Sequence, residues 1–393
     1  MKYPMQSFRL FIACCTLLTG CDLERIEPGN IVGGGPVTKF EKTFDDWGAG
    51  RRVRQLSDGG YMIAGTRYDA SFKSDVFLVR TDANGLTTSG FERAYSDSDA
   101  DIAEDVIQLS DGTFVIVGST YNAAAGNSDV FYLRTKANGD PLTGPVRLGF
   151  NNSNDVGLGV EELTDGNILI TGYSINPSTG SSEVYLAKKS PDLAVNFFEL
   201  RVPGADEEVG FDVVQLTDGY AVAGQVSSSG GTLNALYLKT DLNGVKLAGF
   251  PKTFGGSSDE NAYSIVKTAS NQLVLCGTTF SQGGGDAYLI KVDENGNAVS
   301  PFPLGIGDAQ LERGYELSLA SDGGFVIAGQ KNMDAWFVKT DANGTVRLNK
   351  SFVLNGDQAF WSGRQTTDGG YIMVGEKSGI LYMVKTDKDG NVN

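Results

Sequence analysis

Residues 57–65 read Ser57-Asp58-Gly59-Gly60-Tyr61-Met62-Ile63-Ala64-Gly65, and the same order returns as Ser321-Asp322-Gly323-Gly324-Phe325-Val326-Ile327-Ala328-Gly329. A polar, glycine-rich turn running into a short apolar stretch predicts a hairpin turn entering a β-strand. The closing glycine recurs as Gly65, Gly118, Gly172, Gly224, Gly277, Gly329 and Gly375, at intervals of 46 to 54 residues. Seven copies of one unit account for most of the chain, each long enough for four short strands.

Working outward, each unit reads as two hairpins. Val53-Arg54-Gln55-Leu56 turns through Ser57 to Gly60 into the apolar stretch. Asp75-Val76-Phe77-Leu78-Val79-Arg80-Thr81 then turns through Asp82-Ala83-Asn84-Gly85, a turn repeated at Asp241, Asp293, Asp341 and Asp387. The Asp carboxylate can hold such a turn by accepting backbone amides, while Asn or Gly takes positive φ. Calcium is the alternative ligand of these carboxylates. With the strands named a to d, the last unit ends after its c strand. Val37-Thr38-Lys39-Phe40-Glu41-Lys42-Thr43-Phe44 resembles a d strand such as Phe250-Pro251-Lys252-Thr253-Phe254. Residues 37–44 are therefore expected to pair with residues 380–387 and complete the last sheet, removing its free edge. The expected fold is all-β: one seven-bladed β-propeller of four-stranded antiparallel blades over residues 37–393.

The motifs DGG(Y/F)-I-(A/V)-G, D-(V/A)-(Y/F)-L-(I/V)-(K/R)-T-D-x-N-G and K-T-F-G-G resemble secreted propeller repeats of bacteria and archaea, loosely related to quinoprotein-like and kelch-like propellers. The resemblance spans residues 37–393 and implies the fold; some relatives carry endoglucanase-type names. Two departures stand out: Ser270-Asn271-Gln272 replaces the S/T-D-G turn of the fifth unit, and Ser190-Pro191-Asp192-Leu193 replaces D-x-N-G in the third.

Ahead of the repeats, Lys2 and Arg9 precede the apolar run Leu10 to Leu18, which is too short for a permanent span and reads as a secretory leader over residues 1–20. It closes in Leu18-Thr19-Gly20-Cys21, which resembles the lipobox of bacterial lipoproteins and implies lipidation of Cys21. Residues 21–36, with Pro28, Pro36 and Gly33-Gly34-Gly35, read as a tether. The expected location is the cell envelope, anchored in the bilayer by lipid. The outer membrane or cell surface is favoured over a periplasm-facing position.

Composition narrows the chemistry. The chain has 48 acidic against 32 basic residues, a net charge of -16, which argues against nucleic acid as a partner. It contains no histidine, which removes the usual neutral-pH general base, Ser-His or Cys-His nucleophile activation and imidazole-bound metals. Cys276 falls where other units carry Ala, Val or Thr and reads as a small core residue.

The d-to-a and b-to-c connections vary most and are expected to share one face, where a site would sit. Ring closure brings the d-to-a segments 45–52 and 357–364 side by side. Trp47, Arg51, Arg52, Trp361 and Arg364 are the candidate ligand-binding residues, suited to stacking on a sugar or anchoring a protein, the alternative being that Trp47 and Trp361 plug gaps between blades. Asp97, Asp99, Asp101 and Glu104 form a candidate acidic or calcium site, with Asp206, Glu207, Glu208, Asp259 and Glu260 on later loops. The alternative for these carboxylates is a solvated acidic rim. The leading expectation is a monomeric, membrane-anchored binding or scaffold module for an envelope protein or glycan, without catalysis or a required cofactor. The alternatives are a glycan-active enzyme of glycosidase or lyase type using loop carboxylates, and a purely structural envelope protein.

Overall fold

The computed structural model describes residues 39–44, 48–68, 73–96, 100–204, 206–227, 231–281, 283–353 and 356–392. The leader, Cys21 and the tether lie outside the described residues. The described residues form 28 strands and no helix. They pair into seven four-stranded antiparallel sheets, and neighbouring a strands touch all the way round. Ala49–Gln55 of the first blade thus meets Gln358–Gln365 of the last, closing a seven-bladed propeller about a central channel.

Closure follows the expected route. Phe40–Phe44 is the outermost strand of the seventh blade, with Phe40 opposite Lys385 and Phe44 opposite Leu381 on Ile380–Thr386. Lys39 pairs with Asp387 at 3.2 Å, and the Tyr382 hydroxyl donates to Glu41 at 2.8 Å.

Strand composition follows position in the blade. The b and c strands are covered on both faces by neighbouring blades, so they read as unbroken apolar runs; Phe114 to Val117 are fully buried. Outer strands such as Val346–Phe352 are half open to solvent. The core is accordingly divided into seven clusters, one at each blade interface. Between the first two blades, Met62, Val76 and Leu78 interleave with Val106, Phe114 and Phe131.

The a-to-b turn aspartate has a second task beyond the turn. Asp58 accepts the Gly60 amide through Oδ1, while Arg80 of the c strand donates to Oδ2. Lys339 and Asp322, and Lys385 and Asp368, repeat the pair at 2.8 Å. In the fifth blade Ser270 stands in that place, Asn271 takes φ 59°, and Lys291 reaches instead to the Ala342 carbonyl of the sixth blade. In the c-to-d turns, Asp82 accepts the amides of Asn84 and Leu86, and Asp241, Asp293, Asp341 and Asp387 do the same in their own turns.

Candidate functional site

Each closing glycine lies opposite the residue just before a bulge in its a strand, as Gly65 opposite Gly50 and Gly329 opposite Gly314. A Cβ on Gly329 would stand 1.8 Å from the Arg313 carbonyl oxygen, so only glycine admits the bulged strand this closely. The bulge leaves one residue per blade unpaired: Arg51, Glu104, Leu158, Phe211, Tyr263, Tyr315 and Trp361 in blade order, all half-buried.

These residues form a collar around the channel at its d-to-a end. Ring centroids are 4.9 Å apart for Phe211 and Tyr263, 5.9 Å for Tyr263 and Tyr315, and 4.4 Å for Tyr315 and Trp361. The Arg51 guanidinium lies 4.7 Å from the Trp361 ring centroid and 3.9 Å from the Glu104 carboxylate. Burial raises the Glu376 carboxyl at the same place, against the opposing pull of Arg51 and the Trp361 indole. Four aromatic faces and an Arg–Glu pair thus share one mouth.

Below the collar, acids and a serine stitch neighbouring blades together. Asp105 accepts the Val160 amide of the next blade at 3.0 Å and the Arg52 Nε–H at 3.0 Å. Asp212 likewise accepts the Ile265 amide, Glu316 the Gly363 amide, and the Ser362 hydroxyl the Val53 amide. Burial pushes Asp212 up to about 6, with Asp105 adding to the effect. Arg364 and Arg52 hold Glu316 below the usual range although burial opposes them.

One level further down, Arg54, Arg364 and Glu161 face a chamber of about 350 Å³. Burial, reinforced by Arg364, lowers Arg54 to about 10. Burial raises Glu161 to about 8, with Asp212 adding and Lys267 opposing. At the turn end, glutamines at the ends of a strands reach across blades: Gln55 accepts the Thr367 amide, Gln215 that of Thr164, and Gln365 that of Ser321.

Of the residues singled out in the sequence, Arg51, Arg52, Trp361 and Arg364 do come together on neighbouring a strands. Their setting differs from the expected loops: they belong to strands Ala49–Gln55 and Gln358–Gln365, where Arg51 and Trp361 are the bulge residues of the collar and Arg52 and Arg364 line the chamber below it. Trp47, Asp97 and Asp99 lie outside the described residues. Asp101 is fully buried at the start of its strand while Glu104 sits in the collar, and among the described residues no three His, Cys, Asp or Glu are grouped to hold a metal ion. A solvated rim describes only part of the acidic set, Asp206, Glu207 and Asp259 being exposed. Asp101, Glu208 and Glu260 are buried, and Glu260 accepts the Thr279 and Ser281 hydroxyls. Cys276 is a buried free thiol in the core between the fifth and sixth blades.

Sequence reasoning missed Phe211, Tyr263 and Tyr315, and the channel charges Arg54, Asp105, Glu161, Asp212 and Glu316. A signal existed: the collar residue stands 13 or 14 positions before each closing glycine.

No family model matches the chain, and no curated protein matches it. Solved structures do. A Mycobacterium tuberculosis puromycin-hydrolyzing peptidase is 11% identical at a TM-score of 0.52, over 90% of this chain and 53% of that one. Chaetomium thermophilum Raptor is 7% identical at 0.54, over 89% of this chain and 30% of that one. The WD40 domain of Neurospora crassa Pan2 is 11% identical at 0.51, over 86% and 89%. The chain therefore spans about half the length of the first and less than a third of the second, and the likeness is one of fold.

Proposed function

We propose that this protein is a lipid-anchored binding module of the bacterial cell envelope, of the secreted propeller-repeat kind, whose ligand rests on the collar. In this reading residues 1–20 are the leader, Cys21 carries the lipid, and residues 21–36 hold the propeller off the membrane, with the outer membrane or cell surface as its place. The observation that carries the binding reading is the half-exposed arc of Phe211, Tyr263, Tyr315 and Trp361 beside Arg51 and Glu104. Aromatic faces next to paired charges suit the apolar face and hydroxyl edge of sugar rings, so a glycan is the first ligand to test.

The experiment is a glycan array on residues 22–393 with calcium and with chelator, alongside Trp361→Ala/Tyr315→Ala checked for an unchanged circular dichroism spectrum. Binding that the double variant abolishes supports the reading. Binding that survives it places the site elsewhere, and no binding by the intact protein turns the search toward a protein partner. A second reading, glycan cleavage, draws on Glu376: its carboxyl is raised by burial, with the charge of a second acid, Asp357, adding to the effect, and a raised acid with a second carboxylate is the pairing that glycoside hydrolysis uses. It requires turnover of a bound glycan, lost in Glu376→Gln.

A further inference from the structure

The chamber beneath the collar carries charges that the stitching does not use. Asp105 and Glu316 are committed to backbone amides, to Arg52 and to Arg364. Arg54 is left with carboxylates no nearer than 3.7 and 3.8 Å, both already engaged, and Arg364 Nε has no hydrogen-bond partner. From the third blade, Glu161 contributes an Oε2 that is buried and without a hydrogen-bond partner, next to Asp212. One wall of the chamber thus carries the arginines and the other the acids Glu161 and Asp212, and no ion pair joins these two acids to the arginines across it. The remaining lining is largely apolar, including Ile107, Val214 and Val266. The collar narrows one end. The other adjoins a second cavity of about 620 Å³ at the a-to-b turns, lined by Glu162, Gln215, Thr217 and Lys267 among others.

We infer that this chamber binds a small zwitterion of amino-acid or short-peptide size, its carboxylate on Arg54 and Arg364 and its ammonium on Glu161, with the charge of Asp212 beside it. A volume of about 350 Å³ accommodates such a molecule and excludes a folded partner. The chamber shares no lining residue with the collar and continues into the cavity at the turns, so the site does not depend on what the collar binds. Because burial keeps Glu161 protonated near neutral pH, an arriving ammonium ionises it and a proton is released. The charges around Glu161 are the acids Asp212, Glu162 and Asp105, the amine of Lys267, and Arg52, Arg54, Arg364 and Glu316 across the chamber.

The test uses three probes of equal length, 6-aminohexanoate, hexylamine and hexanoate, with triglycine as a peptide probe, titrated calorimetrically into residues 22–393. The zwitterions are expected to bind about tenfold or more tighter than either singly charged probe. Proton release at pH 7 should be visible as a heat that depends on the buffer. Glu161→Gln should abolish that release and bring 6-aminohexanoate to the level of hexanoate. Arg54→Gln, which relieves a crowd of three arginines and is expected to fold, should bring it to the level of hexylamine. Trp361→Ala should change none of this. Equal binding of all three six-carbon probes, no binding of any zwitterion, or unaltered binding in both channel variants would overturn the inference.

Discussion

A methyl group on Gly329 would collide with a backbone oxygen at 1.8 Å, whereas one on Gly323, at φ 80°, would meet nothing within 4 Å. The two substitutions to alanine separate crowding from conformational strain. Gly323→Ala should cost about 1 kcal/mol, and Gly329→Ala about 3 kcal/mol or more, read from denaturant melts. Glu161 tests charge in the same way. Its folded-state pKa lies above the usual carboxylate value, so the folded protein holds a proton that the unfolded chain has lost. Stability should therefore fall as pH rises from about 4.5 toward 8 through this group, and Glu161→Gln should flatten that part of the Tm profile. A Tm that drops equally in the variant would assign the slope to other groups. These residues were poorly legible in the sequence because their environment comes from three or four blades at once. Glu161 sits in an unremarkable Glu161-Glu162 pair, and nothing local marks one as buried in the channel and the other as partner of the Ser110 hydroxyl.

The hairpins, by contrast, were fully legible. Most depend on local chemistry that the repeat restates: an aspartate holding amides, a glycine at positive φ and apolar runs covered on both faces, with Asn271 and Leu193 taking positive φ where the pattern departs. What the local pattern hid was a second use of the same letters. The glutamine three positions before the turn aspartate looked like an ordinary polar strand end, yet Gln55 binds the Thr367 amide of the neighbouring blade at 2.9 Å. Gln55→Ala should cost at most about 1 kcal/mol, since water can replace an exposed acceptor. The fifth blade offers a test by repair. Ser270→Asp should give Lys291 the partner its equivalents have. Its amine, now lowered by burial, should titrate higher by NMR, with a salt-sensitive gain of under about 1 kcal/mol. An unchanged Lys291 titration would mean that its reach toward Ala342 is preferred to the ion pair.

At the scale of the molecule, seven separate core clusters replace one continuous core, so integrity depends on the ring being shut. Removing residues 1–47 should expose the backbone edge of Ile380–Thr386, lower the Tm and promote association, visible in size-exclusion chromatography. A monomer of unchanged Tm would mean that the outermost strand is dispensable. The number of blades could be read from spacing, and their closure from the likeness of residues 37–44 to a d strand, because both are properties of sequence. The collar could not, because it exists only where seven strands converge.

That closure also fixes an order of events in time. Phe40–Phe44 is made among the first of the folded residues and its partner Ile380–Thr386 among the last. Throughout synthesis, the opening strand must wait unpaired while six blades form behind it, and only the final hairpin releases it from waiting. A ribosome that stalls anywhere before residue 380 leaves an open arc with two adhesive ends. The molecule thus carries its own check on assembly: Phe40–Phe44 finds its place only when Ile380–Thr386 has been made.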